Sequence, residues 1–324
     1  MDFGLQLGWI DFDRLRDLAQ TAEGLGFSAV YFPDHLLAEG PEKQAMGVPA
    51  FDPLMQAAVV ATATSRVRIG HLVLCNLFRH PAVTARGLAT LDQMSRGRMV
   101  AGLGSGWTET EFRMTGLPFP EIGPRLRMLD EALTCLRGLW GDGPFTFDGE
   151  FYHFRDASLV PRPVQARPPV LLGGGGKGLL RVAARHADAV NIVSDTGRAG
   201  YIAIANAIKL SDDTFRQKVD FLRAEASRAG RDGSAIRISA MIFTAQLTES
   251  RADAEQVVTG LAGMFGVPPA AILASPLFLV GTPDDCIAEL RRRQKAWDLS
   301  EVVLSGASAP DLLERFGREI LPHV

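Results

Sequence analysis

Cysteine is scarce in this sequence. The 324 residues hold three, Cys75, Cys135 and Cys286, at wide spacing and with no CxxC. An odd, scattered set excludes a disulfide framework and a structural zinc site. The six histidines never fall in HxH or HExxH spacing, so no metal site is expected. No apolar run approaches the length of a membrane span. The N-terminal MDFGLQLGWIDFDRL lacks the basic region and long apolar core of a signal peptide. There is no excess of positive charge either: 34 Lys and Arg stand against 37 Asp and Glu, a net charge of −3. That balance gives no electrostatic footprint for nucleic acid. The densest basic run, Arg291 to Arg293, reads as a solvated helix face. These absences predict a soluble, reduced, cytoplasmic protein that binds neither nucleic acid nor membrane.

What is abundant is alternation. Short apolar runs at 3–8, 28–32, 67–75, 98–104, 168–174, 187–193, 236–245 and 300–306 read as strands. Nearly all are followed by amphipathic stretches with helical spacing. Asp11 or Asp13 suits the cap of the first helix, and Pro53 the first turn of the next. FTFDGEFYHF (145–154) has two alternating runs around Asp148-Gly149, a hairpin signal. The region 197–235 is polar and mostly helical. Eight strand–helix units predict the α/β class and a single (βα)8 barrel over residues 1–324, with insertions at 145–154 and 197–235. An open doubly wound sheet is the competing fold.

A barrel of this kind places its site at the C-terminal strand ends. Those ends hold Gly8-Trp9, Pro33-Asp34-His35, Leu74-Cys75-Asn76, Ser105-Gly106-Trp107, Gly173 to Gly176, Asn191 to Asp195 and Ser305-Gly306. GGGGKGLL (173–180) lies between a strand and a helix, where bare N–H groups and a helix N-terminus suit a phosphate. It is not a Walker motif, since Gly178 follows Lys177. A flexible turn is the alternative to phosphate binding. GLGSG (102–106) lacks the dinucleotide spacing GxGxxG. Its bare strand face suits either a flat ring or close packing in the barrel. Asp34 and His35 are neighbours on a strand end and point to opposite sides. His35 suits proton transfer near neutral pH, while Asp34 suits a helix cap.

Together these motifs resemble the bacterial luciferase-like monooxygenase superfamily, in its branch that uses the deazaflavin coenzyme F420. The resemblance rests on an ordered series: GFSAVYFPDHL, RIGHLVLCNLFRHPAVTARGLATLDQMSRGR, GLGSGWTETEF and LLGGGGKGLLRVAARHADAVN. It covers nearly all of residues 1–195. VPPAAILASPLFLVGTPDDCIAELRRR is similar to an actinobacterial subfamily of that branch. The resemblance implies a (βα)8 barrel that is usually a homodimer. It implies that Gly175, Gly176, Gly178 and Leu179 hold the cofactor phosphate, and that Asp34, Cys75, Asn76, Ser105 and Gly106 line its ring and chain. It implies a cis peptide at Leu72–Val73, bulging against the ring, and His35 near the hydride-carrying carbon. In this light the alternating glycines read as a flat floor under the ring.

One departure is informative. Where the sugar-phosphate dehydrogenases of this branch carry a glutamate acid, this chain has Trp107. Their substrate-phosphate lysine has no match in SDTGR (194–198). The expected substrate is therefore a small organic molecule rather than a sugar phosphate, with Trp9 and Trp107 as an apolar wall. The expected activity is F420-dependent hydride transfer, reducing a C=C, C=N or C=O bond or oxidising an alcohol. His35 is the expected proton carrier; Glu109 and Glu111 are read either as its helpers or as caps of the following turn. The alternatives are an FMN-dependent monooxygenase and a cofactor-binding barrel without turnover.

Overall fold

The computed structural model describes residues 1–37, 49–194, 210–305 and 310–324. Parts of the expected features at 36–52, 194–215 and 305–306, including Asp195 and Gly306, lie outside these. In chain order the elements begin β1 (Asp2–Gln6), α1 (Phe12–Leu25), β2 (Ala29–Phe32), α2 (Pro53–Ala63), β3 (Arg68–His71), β4 (Leu74–Cys75) and α3 (Pro81–Ser95). They continue with β5 (Met99–Gly104), α4 (Glu109–Thr115), α5 (Ile122–Leu139), β6 (Phe145–Asp148), β7 (His153–Ala157), β8 (Val170–Gly173), α6 (Lys177–His186) and β9 (Ala189–Asn191). The last part comprises α7 (Asp212–Arg228), β10 (Arg237–Ile242), β11 (Thr244–Leu247), α8 (Arg251–Phe265), α9 (Pro269–Ala274), β12 (Phe278–Gly281), α10 (Pro283–Trp297), β13 (Leu299–Ser305) and α11 (Pro310–Arg315).

The helices start where the sequence supplies caps. Asp11 accepts from the Arg14 N–H, Asp52 from Leu54 and Met55, and Thr282 from Asp285. Each satisfies donors that the first helical turn leaves open. All barrel pairings are parallel, in the circuit β1–β2–β3–β5–β8–β9–β10–β13–β1. β3 and β4 are two halves of one barrel strand, so the barrel has eight strands. The doubly wound alternative is excluded by the β3–β5 pairing, which closes the sheet.

Outward strand residues such as Leu5, Val30, Ile69, Ala101 and Leu304 form the main core against the helices. Inward residues Ala29, Tyr31, Leu72, Val100, Leu171, Met241 and Val303 fill the barrel. The end where strands begin is plugged by polar groups. The Tyr31 hydroxyl donates to Glu301 at 3.0 Å; Arg68 lies 3.5 Å from Glu301 and 3.0 Å from Asp2, which Arg237 also pairs at 2.6 Å. Burial pushes the Glu301 carboxyl above its usual range. The opposite end is left to the site.

Two expectations are corrected. The apolar run 236–245 is not one strand. It breaks at Phe243, where the N–H groups of Phe243 and Thr244 both donate to the Leu277 carbonyl. β11 then leaves the barrel and pairs in parallel with β12 over a small core of Val258, Ala262, Ile272, Leu277 and Phe278. The basic run is not wholly solvated: Arg293 is buried and donates to the carbonyls of Ser275, Pro276 and Phe278, pinning the approach to β12. The hairpin β6–β7 forms as expected. The helical insertion contains α7, packed on α6.

Candidate functional site

The mouth of the barrel is shaped first by the interruption between β3 and β4. The Leu72–Val73 peptide is cis, as the resemblance implies. Its carbonyl, Leu72 O, accepts from Gln6 Nε2 at 2.9 Å, and Gln6 Oε1 accepts from the Ser305 hydroxyl at 2.9 Å. The neighbouring glycines make room for this segment. A Cβ on Gly102 would lie 1.6 Å from the His71 carbonyl oxygen, and one on Gly104 2.6 Å from Val73 Cγ2. Gly102 and Gly104 are therefore not an open floor. They are close-packed against the barrel strand made of β3 and β4, Gly102 under His71 and Gly104 under the partly exposed Val73.

Asp34 is committed to architecture. Its Oδ2 accepts from the Cys75 N–H at 2.8 Å and Arg79 Nη1 at 2.6 Å, and its Oδ1 from Arg79 Nη2 at 3.1 Å. Arg79 also reaches Asp52 at 3.1 Å. Burial drives the Asp34 carboxyl upward in pKa, and the Arg79 hydrogen bonds oppose it. Asp34 thus ties the end of β2 to the end of β4, rather than capping a helix. Cys75 is buried, and burial pushes its thiol up to about 12. A thiol held that high is no nucleophile at neutral pH. The buried Asn76 donates from Nδ2 to the Tyr152 hydroxyl at 3.3 Å, so the hairpin reaches the site. Ser105 is buried, and the Gly106 carbonyl accepts from Arg125 Nη1 at 2.6 Å.

The glycine loop after β8 ends on Gly176, the N-terminal flanking residue of α6, where no side chain supplies a cap. The N–H groups of Lys177, Gly178 and Leu179 therefore point out of the helix, with positive dipole behind them. Gly175 has to be glycine, because a Cβ there would lie 1.9 Å from the Val193 carbonyl oxygen. Lys218 of α7 donates to the Gly175 carbonyl at 2.6 Å, bringing a cation to the loop. Leu126 of α5 packs over Gly178. The preceding residue, Arg125, has a buried Nε with no partner among the described residues. A helix N-terminus with a lysine beside it fits an anionic group.

His35 lies across the mouth. Its Nδ1 is 3.0 Å from Glu111 Oε2, with side-chain exposures of 9% and 6%. Glu111 Oε1 accepts from the Leu37 N–H at 3.1 Å. Trp9, at positive φ, and Trp107 flank the imidazole. Both ring centroids are 5.7 Å away, with interplanar angles of 34° and 88°. Glu111 thus faces His35 instead of capping the turn; Thr108, the residue that flanks the start of α4, supplies no side-chain cap. Sequence reasoning missed Arg125, Tyr152 and Lys218. Only the charge of Arg125 and Lys218 signalled them, and nothing local marks Tyr152. Among the described residues no group of three His, Cys, Asp or Glu could hold a metal ion, and no helix is long and apolar enough to cross a membrane.

A family profile described as luciferase-like monooxygenase matches residues 4–195. The chain belongs to that family. This luciferase-like protein is 32% identical over 246 residues to an FMNH(2)-dependent dimethylsulfone monooxygenase of Pseudomonas putida, a match covering 75% of this chain and 61% of that one. It is 34% identical over 191 residues to an F420-dependent glucose-6-phosphate dehydrogenase of Intrasporangium calvum, covering 58% of this chain and 56% of that one. The chain thus spans little more than half the length of these curated relatives. Its fold matches that of the coenzyme F420-dependent tetrahydromethanopterin reductase from Methanopyrus kandleri, with a TM-score of 0.77 at 21% identity over 99% of each chain.

Proposed function

We propose that this protein is an oxidoreductase that moves hydride between coenzyme F420 and a small organic substrate with an apolar surface, in the direction that reduces a C=C, C=N or C=O bond. One observation carries the reading. His35 is boxed by two indoles at the barrel mouth, which also bears the uncapped N-terminus of α6. Such a site binds an anionic cofactor at one end and a flat, apolar substrate at the other.

A bound deazaflavin would supply the hydride carrier. The chain's residues do the rest. Gly176, Gly178 and Leu179 anchor the phosphate through backbone N–H groups, with Arg125 and Lys218 adding charge. Val73, Cys75, Asn76, Ser105 and Gly106 line the ring, and Asp34 holds Cys75 and Arg79 in place. His35 exchanges the proton that accompanies hydride. Trp107 replaces a carboxylate with an apolar surface, which favours a substrate without phosphate. The glucose-6-phosphate dehydrogenase relatives support F420. An FMN-dependent monooxygenase is the second reading, supported by the dimethylsulfone monooxygenase match over 75% of this chain. The proposal includes a cytoplasmic homodimer.

Equilibrium titration with F420 and with FMN tests the cofactor. F420 is expected to bind at least about tenfold more tightly, with affinity lowered by inorganic phosphate and by Arg125→Met. Tight FMN binding with no affinity for F420 overturns the reading.

A further inference from the structure

The proton that accompanies hydride lacks a carboxylic donor at the end of β5, since Trp107 follows Ser105-Gly106. We propose that Glu111 is the positioning residue that makes His35 the proton carrier; this rests on the hydride-transfer reading above. Glu111 lies in the first turn of α4, four residues beyond Trp107, and is buried. Both carboxylate oxygens are engaged, one by His35 Nδ1 at 3.0 Å and the other by the Leu37 N–H at 3.1 Å. The group is held between the exit of β2 and α4, and cannot turn away from the imidazole without giving up a hydrogen bond.

A carboxylate only accepts hydrogen bonds. Nδ1 therefore carries a hydrogen in both the neutral and the charged ring, and Nε2 is the nitrogen that gains and loses the proton. A negative charge this close also favours the imidazolium form. Trp9 and Trp107 close on the ring from two sides and oppose its rotation. In the reductive direction, a bound reduced deazaflavin would supply hydride, with its two electrons, to one atom of the substrate double bond. The other atom takes a proton from His35. The Nε2–H bond breaks and a new C–H, N–H or O–H bond forms. The ring is left neutral, still donating from Nδ1 to Glu111, and solvent then reprotonates Nε2. Glu111 thus serves the reaction through His35 without itself touching substrate.

The test is NMR of the full-length protein with labelled histidine, the His35 signals being assigned with His35→Gln. In the wild type the neutral ring is expected as the Nδ1–H tautomer. In Glu111→Gln the His35 titration midpoint is expected to fall by about one pH unit or more. With F420 and an accepted substrate, kcat of that variant is expected to fall about 100-fold with little change in KM. The alkaline limb of its pH profile should move down together with the NMR midpoint. An Nε2–H tautomer in the wild type, which needs no variant to measure, overturns the proposal. So does an unmoved His35 midpoint in folded Glu111→Gln. If the midpoint moves as expected but neither F420 nor FMN supports turnover, the positioning role stands and the hydride-transfer reading falls.

Discussion

His71 closes β3 with its ring fully buried, Nε2 3.4 Å from the Pro53 carbonyl oxygen. Burial holds its pKa down to about 4, against 6.5 for the ordinary side chain. Folding therefore favours the neutral ring. Between these two values the unfolded chain binds the extra proton, so this stabilisation is complete above about pH 6.5 and is lost as pH falls toward 4. The loss is on the order of 3 kcal/mol. Urea unfolding from pH 7.5 down to 4.5 should show it, and the slope should flatten in His71→Gln. The Asp34–Arg79 pair gives a second expectation at this scale. Arg79→Met leaves a buried carboxyl without its partner and should cost about 3 kcal/mol. Adding Asp34→Asn should recover part of that loss, since residues in contact are not additive. A double-mutant cycle by urea unfolding measures both.

Among the elements, β5 and the β3–β4 break are fitted to one another. Gly104→Ala drives a methyl group to 2.6 Å from Val73 Cγ2 and is expected to cost about 2 kcal/mol. Gly104→Ala with Val73→Ala should recover most of it, measured as thermal midpoints. Gly102→Ala meets backbone at 1.6 Å, and no second-site trimming is expected to relieve it. The barrel strands were legible because each is an apolar run bounded by caps and turns, and Asp148-Gly149 marked the hairpin. The split of 236–245 was not, because an acceptor at Leu277 decides it. For Gly102 and Gly104, close packing was one of two readings, and the sequence could not choose between them. Bare backbone is visible in sequence, whereas the atom that occupies the space belongs to another strand.

For the whole molecule, the barrel separates two tasks. A polar network around the buried Glu301 closes the end where strands begin, and the other end gathers the groups that we propose to bind the ring and the anion and to carry the proton. The rim was legible as a set of strand ends, and the resemblance attached roles to them. The pairings that organise it were not legible: His35 and Glu111 are 76 residues apart, as are Asn76 and Tyr152, and Asp34 meets Arg79 across 45. Closure of the barrel makes these neighbours, and no local pattern encodes it. The central claim is that this mouth passes hydride from a deazaflavin without needing dioxygen. The most direct measurement is an anaerobic single turnover with reduced F420 against a panel of activated C=C, C=N and C=O acceptors. The expected result is stoichiometric, acceptor-dependent oxidation of the deazaflavin, greatly slowed in His35→Ala. Turnover seen only with reduced FMN and dioxygen would contradict it.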